Sequence, residues 1–209
     1  NTQKQQDIDS AALKEEDAYP AMAEGGYGWE KLFSERMCRH FMEDCGLESR
    51  VARFHNVYGP FGTWDGGREK APAAICRKVI AAKDTGVHEI EIWGDGCQTR
   101  SFMYIDDCLK GIDMIMHSDI REPLNLGSAE LVSINDLVSM VEEIGGVKLT
   151  RKYDLGAPKG VRGRSSDNTR IKRLIGWEPT IPLREGLKKT YAWIFEQYMD
   201  RKAGKNTAN

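Results

Sequence analysis

Residues 53–78, RFHNVYGPFGTWDGGREKAPAAICRK, run from an apolar extended stretch through a glycine-rich segment into a helix-forming one, which commits this region to a strand–loop–helix unit. Val51, Phe54 and Val57 favour a strand, and Gly59-Pro60 stops it. Ala71-Pro72 places a proline at a helix start, and Ala73 to Lys78 continue that helix. Between the two, Gly59 to Arg68 holds Gly59, Gly62, Gly66 and Gly67 with two aromatics, Phe61 and Trp64. A hydrophobic core has no use for such a segment. A mobile or close-fitting substrate loop does, because glycine permits positive φ and close approach of backbone to ligand.

The surrounding segments alternate between helix and strand patterns. Tyr27 to Cys45 is predicted as a helix ended by Gly46, because Trp29, Phe33, Met37 and Phe41 recur every four residues as one apolar stripe. Tyr27 and Lys31 lie one turn apart, so a phenol and an ammonium share a face; chance supplies such a pair often, as an exposed tyrosine beside a solvated lysine. Glu89 to Trp93 alternates strictly and reads as a strand with one polar face, followed by a Gly94-Asp95-Gly96 turn. Gln98 to Ile105 is extended again. Asp106 is read as the N-cap of a helix with Leu109, Ile112, Ile115 and Met116 inward, and Asp107 as a solvated charge. Pro123 to Leu126 forms a short strand, and Ser133 caps a helix carrying Ile134, Leu137, Val138, Val141 and Ile144, closed by Gly145-Gly146. Lys148 to Tyr153 is a further strand, Gly156 to Asp167 a loop, and helices around Asn168 to Ile175 and Leu183 to Met199 follow. Asn1 to Gly26 reads as connection, with Leu13 to Asp17 a solvated turn, and the final RKAGKNTAN as a disordered polar tail. Trp29, Trp93, Trp177 and Trp193 are expected in the core, and Trp64 in a pocket wall. Strands alternating with helices make this an α/β protein.

A formal charge of −2, with 40% hydrophobic and 30% charged residues, argues against a nucleic-acid binder, so any anion site is local. The five cysteines, Cys38, Cys45, Cys76, Cys97 and Cys108, are odd in number and scattered without a Cys-x-x-Cys. That pattern suggests reduced thiols in a cytoplasmic setting, with no disulfide framework and no metal site. No apolar run approaches membrane-spanning length, and the polar opening NTQKQQDIDS reads as a loop and not a signal peptide. Neither Gly-x-Gly-x-x-Gly nor a P-loop occurs.

The ordered set YGWEK, RFHNVYGPFG, WGDGCQTRSFMYIDD, PLNLGS, GVRGRSSDN and IGWEPTIPLREGL resembles the C-terminal part of the extended short-chain dehydrogenase/reductases that act on nucleotide sugars, the NAD-dependent epimerase/dehydratase family. The loop FGTWDGGREKAPAAICRK is more specific and resembles that of the GDP-mannose 3,5-epimerases. The resemblance runs from about Glu16 to Tyr198. It implies an incomplete Rossmann-type nucleotide-binding sheet plus a small α/β substrate domain. Residues 1–58 would be the remnant of the dinucleotide-binding domain and 59–200 mainly the substrate domain, with 99–127 returning to the Rossmann part. It implies further that the NAD-binding half with its glycine loop precedes this chain, which is then expected to be a piece of a longer enzyme.

The reaction implied is inversion of carbons 3 and 5 of GDP-mannose after transient oxidation at carbon 4 with NAD. Tyr27 matches the family's base for the carbon-4 hydroxyl, and Lys31 the cation that favours its phenolate and holds the nicotinamide ribose. Lys70 in GREKAP matches the lysine of the acid–base pair that exchanges the ring proton; Arg68 beside it supplies crowding charge. Its partner in the family is a cysteine placed ahead of this chain, and Cys76 reads as a small buried side chain. Asn56, Glu69, Lys70, Ala71, Lys78, Gln98, Thr99, Arg100 and Arg164 stand where the family contacts the nucleotide sugar. Arg100 and Arg164 are expected on the diphosphate, which suits guanidinium forks, and Arg162 can replace Arg164 there. His55 reads as structural, and His40, His88 and His117 show no ligand spacing.

Two other readings remain at this point. A sugar-nucleotide 4-epimerase or 4,6-dehydratase shares the Tyr-x-x-x-Lys pair and the RFHNVYGP-type strand, but has no need of the GREKAP lysine. A non-catalytic module that binds nucleotide sugar accords with the missing glycine fingerprint. In the family the helix bearing Tyr27 also pairs across a homodimer, and the exposed residues Glu30, Arg36 and Arg39 leave that open.

Overall fold

The computed structural model describes residues 12–21, 23, 25–157, 163–205 and 207. Helix α1 (Gly26–Cys45) ends at Gly46, whose φ of 68° closes it in the left-handed region. Strands β1 (Ala52–Phe54) and β2 (Val57–Tyr58) lead through the glycine loop to α2 (Ala71–Thr85), which has a proline in its first turn. Next come β3 (Glu89–Trp93), β4 (Thr99–Ser101), β5 (Met103–Tyr104) and α3 (Ile105–Met116). Strands β6 (Leu124–Leu126) and β7 (Leu131–Ser133) precede α4 (Ile134–Gly145), where Ser133 Oγ accepts from the Asp136 N–H as its cap. The chain finishes with β8 (Thr150–Asp154), β9 (Gly163–Arg164), α5 (Thr169–Ile175) and α6 (Leu183–Lys202).

β1 pairs with β6, β2 with β5 and β3 with β8, each in parallel, so every one of these pairs is closed by a crossover containing helix. β4 lies between antiparallel β7 and parallel β9. Helix α2 packs on both α4 and α6. The apolar faces meet in two clusters. The larger gathers Tyr58, Trp64, Val79, Ile80, Ile90, Ile92, Leu137, Val141, Leu187 and Ile194. The smaller gathers Met103, Leu124, Leu126, Ile171 and Trp177 around the β1–β6 pair.

Several expectations are corrected. Leu13 and Glu15 are buried, not a solvated turn: Leu13 N–H donates to Ser165 O at 3.0 Å, and Glu15 Oε1 accepts from the Asn125 N–H at 2.9 Å. Trp93 shares the parity of Glu89 and Glu91, so β3 turns it outward while Ile90 and Ile92 face in. Trp29 is also exposed, together with Phe33, Met37 and Phe41, because the stripe of α1 has no described element against it. Trp64, conversely, is buried in the larger core. In α3 the N-cap is Tyr104, not Asp106, and Leu109 and Met116 face solvent. Asp107 is buried, accepting from Thr180 N–H at 3.0 Å, Thr180 Oγ1 at 2.9 Å and Ile181 N–H at 2.9 Å. The supposed tail begins inside α6: Arg201 and Lys202 are helical, and Lys202 Nζ reaches Asp84 Oδ1 at 2.7 Å.

Candidate active site

The pairing of β4 with β9 sets Arg100 directly beside Arg164, one register step after Thr99 beside Gly163. Partners in a parallel pair project to the same side of the sheet, so Arg100 and Arg164 leave the same face of the β4–β9 pair as neighbours. Both residues are half-buried, and Arg100 Nη1 donates to Thr99 O at 2.7 Å. Asn56 joins them: its Nδ2 donates at 3.1 Å to the carbonyl of Ser101, the residue after Arg100, and its own carbonyl receives Met103 N–H at 3.0 Å. Asn56 holds a φ of 32°, a conformation asparagine tolerates better than most residues. His55 beside it is buried, which pushes its ring down to about 4; a bond to Asn125 opposes this, and the Arg164 and Arg53 cations add to it. His55 is therefore neutral at pH 7 and structural, as read from sequence. Arg162 lies outside the described residues.

A second group lies along α2 and the end of β3. Lys78 Nζ donates to Glu91 O at 2.9 Å, and Gln98 Nε2 to Trp93 O at 2.8 Å, so both side chains are fixed on the same strand. Gln98 Oε1 is buried and has no hydrogen-bond partner among the described residues. Lys70 occupies the N-cap of α2, with Ala71 at its first turn, and its ammonium is exposed and unbonded among the described residues. Glu69 is turned inward. Its Oε1 takes Arg77 Nη2 at 2.9 Å and its Oε2 takes Gly67 N–H at 2.7 Å. Burial pushes the Glu69 carboxyl up, but its backbone, Arg77 and Gly67 bonds outweigh this and hold it below the usual range. It is thus an acceptor and not a proton donor.

Tyr27 and Lys31 project from the first two turns of α1, with Lys31 Nζ 5.2 Å from the Tyr27 ring centroid. Tyr27 is 61% exposed, and neither side chain hydrogen-bonds to another described residue. One turn beyond Lys31, Glu35 forms a two-pronged pair with buried Arg53, Nε to Oε1 at 2.8 Å and Nη2 to Oε2 at 2.7 Å. Arg53 Nη1 also donates to Glu15 O at 2.7 Å. The helix with Tyr27 is in this way tied to β1, three residues before Asn56.

The five cysteines are all free thiols. Burial pushes Cys76 up to about 12 and Cys108 up to about 11, so both stay protonated at neutral pH and neither offers a thiolate base. Among the described residues no cluster of side chains could hold a metal ion. Sequence reasoning missed Arg53, Glu35, Asp65, Arg77 and Arg201. Their only sequence signal was charge placed in or beside apolar segments, which becomes informative once the partners, far apart in the chain, are known.

The NAD dependent epimerase/dehydratase family model matches residues 4–127. The chain belongs to that family. It is 51% identical to a GDP-mannose 3,5-epimerase of Arabidopsis thaliana over 96% of this chain and 52% of that protein. It is 52% identical to GDP-mannose 3,5-epimerase 1 of Oryza sativa subsp. indica over 90% of this chain and 48% of that one. The chain therefore spans about half the length of the curated relatives it matches. Among solved structures, UDP-glucuronic acid 4-epimerase from Bacillus cereus, in complex with UDP-glucuronic acid and NAD, superposes with a TM-score of 0.79 at 27% identity, covering 93% of this chain and 59% of that one. The family assignment and the α/β architecture agree with the expectation drawn from the motifs.

Proposed function

We propose that this chain is the substrate-binding portion of an NAD-dependent nucleotide-sugar epimerase that acts on GDP-mannose, inverting carbons 3 and 5 to give GDP-L-galactose. The observation that carries the reading is the register of β4 and β9, which places Arg100 beside Arg164 with Asn56 bonded at the next residue. Two adjacent guanidiniums suit a diphosphate, whose charge and oxygens accept several forked donors. The identity to GDP-mannose 3,5-epimerases supports the choice of sugar. The GREKAP lysine favours it over a 4-epimerase or 4,6-dehydratase, and the family assignment favours an enzyme over a non-catalytic module.

In this reading bound NAD supplies a reversible hydride acceptor for carbon 4. Tyr27, as the phenolate that the Lys31 ammonium favours, takes the proton of the carbon-4 hydroxyl and becomes the neutral phenol. The ketone acidifies the neighbouring carbons; a base on one face, a cysteine in the family, removes the ring proton, and Lys70, exposed at the head of α2, returns one from the other face. Gln98, Thr99 and Lys78 line the approach to the arginine pair, and Glu69 and Ala71 shape the loop around Lys70. Residues up to 58, with the 99–127 return, are read as dinucleotide-domain parts, which accords with the separate small core around β1 and β6. A cytoplasmic homodimer belongs to the same proposal.

Calorimetric titration tests it. GDP-mannose is expected to bind, UDP-glucose to bind more weakly, and Arg100→Leu or Arg164→Leu each to lower affinity about 10- to 100-fold. Equal affinity for both nucleotide sugars, or no effect of either substitution, would sink the assignment.

A further inference from the structure

We propose that Arg201, near the C-terminal end of α6, is a positioning residue for Lys70. The inference rests on the reading of Lys70 as a proton donor. The glycine loop was expected to be a mobile or close-fitting substrate loop, and its segment from Trp64 to Glu69 is fastened. The Arg201 guanidinium carbon lies 4.1 Å from the Trp64 ring centroid, and Trp64 is 1% exposed. Arg201 Nη1 pairs with Asp65 Oδ2 at 2.7 Å, and Asp65 Oδ1 lies 3.3 Å from Arg77 Nε, a charge contact without a hydrogen bond. Arg77 passes the constraint on to Glu69 at 2.9 Å, the residue before Lys70. Both carboxylates also close the loop on itself, Asp65 Oδ1 accepting from Gly66 N–H at 2.9 Å and Glu69 Oε2 from Gly67 N–H at 2.7 Å.

The result is a continuous relay, Arg201 to Asp65 to Arg77 to Glu69, that spans the loop from its buried aromatic to the residue adjoining the exposed ammonium. Gly66 and Gly67, with φ of 93° and 85°, give that segment little intrinsic stiffness, so its shape comes from the charges that clamp it. A ring held by cation–π stacking and two carboxylates each held by one guanidinium hydrogen bond form a clamp on a flexible segment. Neither Arg201 nor Arg77 need touch the sugar. A catalytic lysine gains from such support because small displacements of a proton donor cost large factors in rate.

The test compares Arg201→Met, Arg201→Lys and Lys70→Met in the full chain. Amide hydrogen exchange is the first readout. Arg201→Met is expected to lower protection of the Gly66 and Gly67 amides at least tenfold and leave Val79 and Ile80 in α2 unchanged. Unchanged loop protection, or loss spread over α2 as well, overturns the inference. Turnover, read with the chain joined to the NAD-binding half that the resemblance implies, is the second readout. Arg201→Met is expected to lower kcat about tenfold or more with KM for GDP-mannose within about twofold, and Arg201→Lys, which keeps the Asp65 pair, to recover part of it. A rise in KM at constant kcat overturns the inference. If Lys70→Met turns over normally, the reading of Lys70 fails, whereas the exchange result still reports on the clamp.

Discussion

At the scale of single residues, the group with the clearest energetic consequence is His55. Its ring sits at about 4 in the folded chain, against an ordinary value of 6.5. Between those values an unfolded chain takes up a proton that the folded one refuses, so stability is full above about pH 6.5 and declines as pH falls toward 4. Burial is the first cause, with Arg164 and Arg53 opposing a further positive charge. Wild type is expected to lose about 2 kcal/mol between pH 7 and pH 5, and His55→Gln to lose far less over that interval. Urea denaturation at the two pH values measures it. Carboxylates such as Glu69 and Glu142, held below their usual range, act at lower pH and leave this window to the histidine.

At the scale of elements, α6 packs on α2, α4 and β5. Gly186 lets the helix lie against two tyrosines: a Cβ there would stand 2.6 Å from Tyr104 Cδ2 and 2.9 Å from Tyr58 Cζ. Tyr58 cannot retreat, because its hydroxyl donates to Leu183 O at 2.9 Å and its ring meets Tyr104 edge-on at 5.6 Å. In an isolated helix Gly→Ala is stabilising by about 1 kcal/mol. Here Gly186→Ala is expected to destabilise by about 1–3 kcal/mol, because overpacking outweighs propensity. Thermal unfolding of the variant gives the sign directly, and a raised midpoint would contradict the packing.

At the scale of the whole molecule, the feature that remains unaccounted for within the described residues is the apolar side of α1, where Phe33 is 66% and Trp29 53% exposed. A stripe of that kind is covered in a stable assembly. With the homodimer proposal, sedimentation at micromolar concentration is expected to give a dimer, and Phe33→Glu with Phe41→Glu a monomer that keeps its far-UV spectrum. A wild-type chain that sediments as a monomer would assign the stripe to something other than a second copy.

Local chemistry and periodicity were enough for the sequence to determine most elements: the Gly46 and Gly146 helix ends, the Ser133 cap, the alternation of β3 and the proline-led start of α2. The same alternation puts Trp93 on the glutamate face, against the core position expected of it. Motif resemblance supplied the family and the candidate residues, because those side chains sit at characteristic short spacings. Only the tertiary structure decided which way a helix face turns, why Leu13, Glu15 and Asp107 are buried, and that a loop rich in glycine is held by Arg201. Each of those outcomes depends on partners many residues away, brought together by parallel strand pairing and crossover helices. Burial and ion pairing are properties of that meeting and are not written in any one segment.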